Sequence, residues 1–567
     1  MKSRKVLWII FDAIPWLLLR RLLDDGSLPA FAGLAERGVF AAAKPPAPNC
    51  QTPAAIATLA TGLWPREHGV SGFSTPADRS ASIAAKSGFD ESVLREAPIW
   101  QYAASHGQRY AASHLPWTTG PAAGATFAVN GFMDRRFRGD LRLLPGGGRS
   151  SFSIGPHVCS AAEVAGHLSL LLQPGGEAVE IPIANSGASL QWTRLDLPRS
   201  DSTQAAAIEI GGQIALLTTG SWRLAGSVSA DLTAFEQAAG PFVAEGFGRF
   251  YRRGAFGPTL RDGGSGDAER YLVETLRPCA DYFRKSAIQV LDRNPDAELV
   301  VMYQPCIDDI EHELLGWCDR RYPYYSQLRH DIAWSAIRDV YSMADCMLAE
   351  VLEHAGKDAT VVVSSDHGMA PLWSLVHVNE ILHAAGLLAW TPEGKPDLAA
   401  SSVFYHPANN GSVWLSPNVP HHTAAEVLDR AVQALIFARD TRTGSPLIQR
   451  VESRSCPGPG WTPELGDLFV AAAEGLDFDA GPGTRHCTLS PAGKTASHMT
   501  NTSREELRGI FLAAGPDIGR PDDPLLDIDN RDIFGFLCEQ MQIPVPARVV
   551  RPEGNTVLSA IGRLQAR

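Results

Sequence analysis

The sequence predicts an α/β fold in which a mostly parallel central sheet is flanked by helices and capped by a β-rich insertion. Three observations predict it. Short apolar runs recur at Val6 to Phe11, Leu299 to Met302, Thr360 to Val363 and Gly509 to Ala514, the pattern of strands covered on both faces. Amphipathic segments separate them, notably Asp331 to Ala355, whose apolar residues recur at helical spacing. Between about Pro145 and Pro295, Gly and Ser become frequent, and Ala206 to Leu217 and Gly220 to Val228 read as strands joined by short turns. Alternating buried strands and helices make a parallel sheet; the Gly- and Ser-rich stretch makes the insertion.

At 567 residues the chain exceeds one simple core. It divides into a core in three parts, 1–145, 296–400 and 466–567, interrupted by the β-rich insertion at 146–295 and a smaller one at 401–465. The smaller insertion contains a helical piece at Thr423 to Phe437. Both are expected to sit over the strand ends. In such sheets, ligands bind outside the carboxyl ends of the strands, so polar residues there are candidates for chemistry.

Composition narrows the function. A formal net charge of −12 argues against general affinity for nucleic acid polymers or anionic membranes. Nine cysteines lie singly between Cys50 and Cys538 with no Cys-x-x-Cys pair, which argues against a disulfide framework and a cysteine zinc site. The basic residues before Val6 and the apolar run to Leu19 resemble a signal peptide, but Asp12 interrupts the run and no cleavage site is close. The segment is read as the first buried strand of a cytoplasmic protein. No apolar run approaches the roughly 18 residues of a membrane-spanning helix.

The strand ends carry the chemistry. Asp12 ends the first run, and Asp366-His367-Gly368 follows the third. Asp308 and His312, four residues apart just beyond the second run, share a face if that segment is helical. Asp309 replaces Asp308 if the register shifts by one; otherwise Asp309 and Glu311 are read as solvated neighbours. His498 lies in a polar loop, Gly493 to Thr500, before the last run. Three carboxylates and three imidazoles suit zinc or manganese. Thr52-Pro53 reads as a helix cap and first-turn proline, with Ala54 to Ala60 helical and Gly62 ending the helix. Its hydroxyl would meet an anion at a helix N-terminus. Taken singly, Thr52 is a cap, Asp-His-Gly a turn and His498 a solvated loop residue; their order makes the set specific.

That ordered set resembles the type I phosphodiesterase and nucleotide pyrophosphatase family of the alkaline-phosphatase superfamily. The resemblance rests on Thr52 to Gly62 with Pro65, His68 and Gly69, then Pro305, Asp308 and His312, Asp366-His367-Gly368, and His498 followed by Arg504 to Pro516. It covers residues 1 to 130, 295 to 375 and 465 to 545, leaving the middle insertion unmatched. It implies an alkaline-phosphatase-like sandwich and a hydrolase of small phosphate esters, a phosphodiesterase first, with two divalent ions, zinc or alternatively manganese. One ion would be held by Asp308, His312 and His498. The other would be held by Asp12, Asp366 and His367, joined by the nucleophile Thr52. His68 is read as structural. Phe73 stands where nucleotide-diester members carry an asparagine that binds a phosphoryl oxygen, and is the candidate substrate-binding residue; this departure keeps monoesters and phosphonates open.

The resemblance implies attack by Thr52 on phosphorus and a phosphothreonine hydrolysed by water. A sulfatase would need Pro and Arg two and four residues after its Cys, whereas Cys50 is followed by Thr52 and Ala54. A cofactor-independent phosphoglycerate mutase would use serine. A metal- or ligand-binding descendant without catalysis is the reading from another class. Trp192, Trp222, Tyr251 and Phe256 could line an apolar pocket, but aromatic residues in such an insertion are more often core. The sequence carries no signal for oligomeric state.

Overall fold

A computed structural model describes residues 5–549 except 77–82, 120–123, 147, 173–176, 186, 228–230, 459–460, 462–464, 484–487, 500, 517 and 520–526. Val228 and Thr500, both in segments singled out above, lie outside the described residues.

Among the described residues nine strands form the central sheet: β1 (Val6–Phe11), β2 (Val39–Lys44), β3 (Tyr110–Ser113), β4 (Phe127–Phe137), β5 (Ser221–Gly226), β6 (Leu299–Gln304), β7 (Thr360–Ser364), β8 (Gly509–Ala514) and β9 (Asp527–Asp529). Their order is β5-β4-β3-β6-β1-β7-β8-β2-β9. Five pairings are parallel (β4–β3, β3–β6, β6–β1, β1–β7 and β2–β9). Three are antiparallel, β5–β4, β7–β8 and β8–β2. The four apolar runs are all strands of this sheet, and every residue of β1, β6, β7 and β8 is buried. Apolar side chains on both faces require cover on both, which is why these runs do not alternate with polar residues.

The register places the site. Phe11 lies opposite Gln304, and Ile10 opposite Ser364, so β6, β1 and β7 leave the sheet at one level. Because β8 runs antiparallel to β7, the loop entering β8 arrives at that same edge. β2 points back the same way as β7 and feeds α1 (Thr52–Thr61). α1 is entirely buried; its alanines let the backbone approach the core. It ends at Gly62, whose φ of +70° suits glycine and whose N–H donates to the Thr58 carbonyl at 2.9 Å.

The insertion is β-rich as expected up to Thr218, but Ser221–Gly226, read as part of it, is an edge strand of the central sheet, and the second sheet takes in Asp140–Leu144 from before residue 146. Asp140–Leu144, Gln213–Thr218, Asp201–Ile210, Ala178–Ala184, His167–Leu172, His157–Val164 and Ser150–Ile154 form a second sheet in that order. Thr193–Leu197 also pairs with Asp201–Ile210. The stretch read as one strand, Ala206 to Leu217, is a hairpin: Gly211 and Gly212, at φ +57° and +79°, make the two-residue turn. Beyond Leu232 the insertion reading gives way to helices, above all α2 (Asp267–Arg293), 27 residues long. Pro278 lies inside α2 and obscures its helical signal, yet Tyr271, Leu272, Leu276, Cys279 and Phe283 bury one face against the main core. α2 packs along α4 (Gln327–Ala355), and α4 also covers α3 (Cys306–Leu314). The smaller insertion has its own core beneath the helix Ala424–Ile436. No helix among the described residues is long and apolar enough to cross a membrane.

Candidate active site

All seven side chains singled out as ligands or nucleophile meet at the edge where β6, β1 and β7 end. Asp12 follows β1, and its N–H donates to the Gln304 carbonyl at 3.0 Å. Asp308 and His312 lie one turn apart on α3, with Asp308 Oδ1 3.4 Å from His312 Nε2 and 3.5 Å from His498 Nε2. His367 Nε2 lies 3.4 Å from Asp12 Oδ1, 3.2 Å from Asp366 Oδ2 and 3.4 Å from Thr52 Oγ1. The His367 and His498 rings stack with centroids 3.7 Å apart.

Each position is fixed from outside. His312 Nδ1 donates to the Ala496 carbonyl at 2.8 Å and His367 Nδ1 to the Gly368 carbonyl at 3.0 Å. Since only N–H can donate to a carbonyl, both rings carry their proton on Nδ1 and turn the Nε2 lone pair inward. Asp366 Oδ1 accepts the N–H groups of Ala13 (3.2 Å) and His367 (3.0 Å), and its carbonyl accepts from Asn530 Nδ2 at 2.6 Å. Ala13 holds a left-handed φ of +61°, strain that its bond to Asp366 helps sustain. Asp12 Oδ2 accepts the hydroxyl of Tyr303. The Cys50 thiol donates to the His498 carbonyl at 2.8 Å, tying the segment that carries Thr52 to His498.

The cluster fits divalent cations. Among the described residues, Asp12 Oδ1, Asp308 Oδ1, Asp366 Oδ2 and His498 Nδ1 are buried without a hydrogen-bond partner, an expensive arrangement for oxygens that carry charge. The nitrogen–oxygen separations of 3.2–3.5 Å match the edge of a tetrahedron with metal bonds near 2.0–2.1 Å, roughly 3.3–3.4 Å. Burial above all, then Asp366 for Asp12, pushes the carboxyls of Asp12 and Asp308 well up and that of Asp366 to about 8. Burial holds His367 down to about 3 and His312 and His498 well below the usual range, so all three imidazoles are neutral, as ligands must be. A bound cation would reverse the carboxyl shifts.

Among the described residues two groups of three have donor atoms within 4.8 Å of one another: Asp308, His312 and His498, and Asp12, Asp308 and His367. The first is the expected trio. The second has Asp308 in place of Asp366 of the expected Asp12, Asp366 and His367: Asp308 Oδ1 faces both halves, while Asp366 Oδ2 lies 3.2 Å from His367 Nε2.

Around this centre several expectations change. Thr52 is the first residue of α1, with Gln51 at the cap, so its hydroxyl is not consumed in capping and is directed at His367. Glu311 is buried rather than solvated and accepts the Tyr341 hydroxyl at 2.7 Å; Asp309 is half-buried and accepts the Gly246 N–H at 2.9 Å. His68 is buried against Thr58 Oγ1 at 3.0 Å, a structural role. Phe73, 49% exposed, lines the cleft outside His312 and His498. Tyr251 and Phe256 belong to the core, and Trp192 and Trp222 pack on it.

Sequence reasoning missed Tyr303, although a hydroxyl at the end of an otherwise apolar strand was a usable signal. It also missed Asn530, Arg252, Lys494 and the Asn409–Asn410 turn, which had none. Gln51 accepts the Phe73 N–H at 2.9 Å and donates to the Asn409 carbonyl at 3.1 Å; Asn410 Nδ2 donates to Ser71 Oγ at 2.9 Å. The smaller insertion thus clamps the segment that leads into Thr52.

A family model described as type I phosphodiesterase / nucleotide pyrophosphatase matches residues 6–196 and 247–498, extending into the middle insertion that the sequence reading left unmatched. No curated protein matches the chain. Among solved structures, murine ectonucleotide pyrophosphatase / phosphodiesterase 5 is similar at 14% identity over 96% of each chain, with a TM-score of 0.48. Phosphonoacetate hydrolase from Sinorhizobium meliloti 1021, in complex with phosphonoacetate, is similar at 15% identity over 95% of this chain and 96% of that one, with a TM-score of 0.50. The fold observed is the alkaline-phosphatase-like α/β sandwich expected from the sequence.

Proposed function

The chain belongs to the type I phosphodiesterase / nucleotide pyrophosphatase family, and from that premise we propose that it is a two-metal hydrolase of small phosphate esters, a phosphodiesterase first, with Thr52 as nucleophile. Family membership points to phosphoester hydrolysis. The observation that carries the finer reading is the convergence of Thr52 with three orphaned carboxylate oxygens and three neutral imidazoles in one buried cluster.

Asp308, His312 and His498 would hold one ion and Asp12, Asp366 and His367 the other, with Asp308 between them; zinc suits this donor set and manganese is the alternative. When bound, the ions would favour ionisation of the Thr52 hydroxyl and offset negative charge on the phosphoryl oxygens. Thr52 Oγ1 attacks phosphorus, a new Oγ1–P bond forms as the bond to the leaving oxygen breaks, and the leaving group takes up a proton. Water then attacks the phosphorus, a P–O bond to the water oxygen forms as the Oγ1–P bond breaks, a proton from the water returns to Oγ1, and the phosphate product leaves. The clamp of Gln51 and Asn410 keeps α1 and its nucleophile in place throughout. Phe73 offers no hydrogen-bond donor side chain at the mouth, which supports monoester or phosphonate substrates as the second reading. The eight described cysteines are all unpaired, which supports a cytoplasmic, reducing setting.

The test is hydrolysis of bis(4-nitrophenyl) phosphate by zinc-loaded protein. Thr52→Ala is expected to keep its metal and lose turnover by about a thousandfold or more. Wild-type turnover in that variant would sink the covalent mechanism.

A further inference from the structure

Outside the metal cluster the cleft opens into a cavity of about 470 Å³, with His312 and His498 on its inner side and Phe73, Arg252 and Lys494 further out. Such a volume admits a phosphoryl group together with a compact substituent. The two cations come from distant parts of the chain but are neighbours here: a Cβ built on Gly493 would lie 3.5 Å from Arg252 Cδ, so the arginine stem crosses the backbone beside Lys494.

The Arg252 guanidinium and the backbone around Lys494 are each anchored. Thr495 N–H donates to the His312 carbonyl at 2.7 Å and Thr495 Oγ1 to the Glu313 carbonyl at 2.9 Å. His312 Nδ1 donates to the Ala496 carbonyl, and Arg261 Nη2 to the Ala492 carbonyl at 2.8 Å. The backbone on either side of Lys494 is therefore fixed relative to His312. Arg252 Nη1 is paired with buried Glu313, which anchors the guanidinium; among the described residues its other N–H groups make no further side-chain bond and can meet a ligand. Lys494 is half-buried, and among the described residues its ammonium has no carboxylate within ion-pair distance. Asp477, the carboxylate lining the cavity, already accepts the Ser497 hydroxyl and the Phe478 N–H. The half-buried Lys494 ammonium lies in the field of Asp308, Asp309, Glu313 and Asp477, none of them at ion-pair distance among the described residues, and an anion entering the cavity would meet it together with the anchored guanidinium.

Resting on the reading of the cluster as the phosphoryl site, we propose that Lys494, assisted by Arg252, binds a second anionic group of the substrate, a carboxylate or a phosphate, within reach of the phosphoryl centre. The substrate class is then a phosphate or phosphonate ester with a compact second anion rather than a neutral ester. Lys494 is a specificity-determining residue; removing it should change which ligands bind and leave the cluster intact.

Binding is measured by calorimetry on zinc-loaded Thr52→Ala protein of verified metal content, so that turnover plays no part. Two probe pairs differ mainly in the second anion: phosphonoacetate against phosphonoacetamide, and methylenediphosphonate against methylphosphonate. The anionic member of at least one pair is expected to bind about tenfold tighter or more, as for a charge-assisted hydrogen bond. The pair that responds tells carboxylate from phosphate. Adding Lys494→Met should remove the preference while phosphonoacetamide and methylphosphonate bind as before; Lys494→Arg should retain it. Equal affinities within both pairs, or a preference untouched by Lys494→Met, would overturn the proposal. A preference in protein whose wild type hydrolyses nothing would overturn the hydrolase reading and leave the anion site standing. Hydrolysis without a preference would do the reverse.

Discussion

The inner and outer halves of the cleft are built in opposite ways. Inside, Asp12, Asp308, Asp366 and His367 follow three adjacent parallel strands, and His367 is fully buried. Outside, Phe73 is half-exposed, Arg252 follows a short helix ahead of α2, Lys494 sits in the loop before β8 and Asn409 comes from the smaller insertion. The inner half is dictated by topology: where strands end level, the next residues converge whatever the rest of the chain does. The outer half is assembled from segments whose neighbours in space are not neighbours in any regular pattern. The chemistry is therefore tied to the sheet, whereas substrate choice is free to change with the loops.

The strongest way to break this comparison is at the inner half. His312→Ala removes one nitrogen donor and should weaken metal binding by more than about a hundredfold, since loss of an outer partner alone can reach that size. Competition with a chelator measures it; wild-type affinity would mean that the cluster does not hold metal. Next in size is Tyr303→Phe, which deletes the hydroxyl donated to Asp12 without changing shape. About a tenfold loss of metal affinity is expected, with the thermal midpoint of the metal-free protein little changed.

The smallest effect sharpens the contrast from a third place. His114 is as buried as His367 but faces aromatic rings, with Phe242 stacked on it at 4.8 Å, and its Nε2 meets Ser286 Oγ at 3.0 Å. Burial holds it down to about 3. Above pH 6.5 it is neutral both folded and unfolded and stability does not depend on it. Between about pH 6.5 and 3 only the unfolded chain takes up the proton, so this residue subtracts up to about 1.4 kcal/mol of stability per pH unit as pH falls. His114→Leu should lose stability at neutral pH yet show a shallower decline between pH 6 and 4 in urea titrations. An unchanged slope would show that His114 is protonated in the fold.

The same division explains what was legible in the sequence. Val6 to Phe11 and its three counterparts could be read as strands because burial on both faces leaves an unbroken apolar run. With those strands placed, Asp12, Asp366 and His367 followed, and the four-residue spacing of Asp308 and His312 gave the turn of α3. Glu311 was misread because a helical face pressed against α4 and one open to water have similar local composition; Tyr341 is what makes the burial tolerable. α2 was hidden by Pro278 and by the Gly- and Ser-rich strands before it. Arg252 and Lys494 left no trace, since a cation in a loop reads as solvated until a distant segment folds over it.

The central claim is that the seven-residue cluster is a two-metal centre, and metal content tests it most directly. Protein equilibrated with zinc, freed of unbound ion and analysed for metal should carry about two ions per chain, falling in His312→Ala and in Asp366→Ala. Zinc-equilibrated wild-type protein that retains no stoichiometric metal, or substituted proteins that retain as much as wild type, would contradict the account.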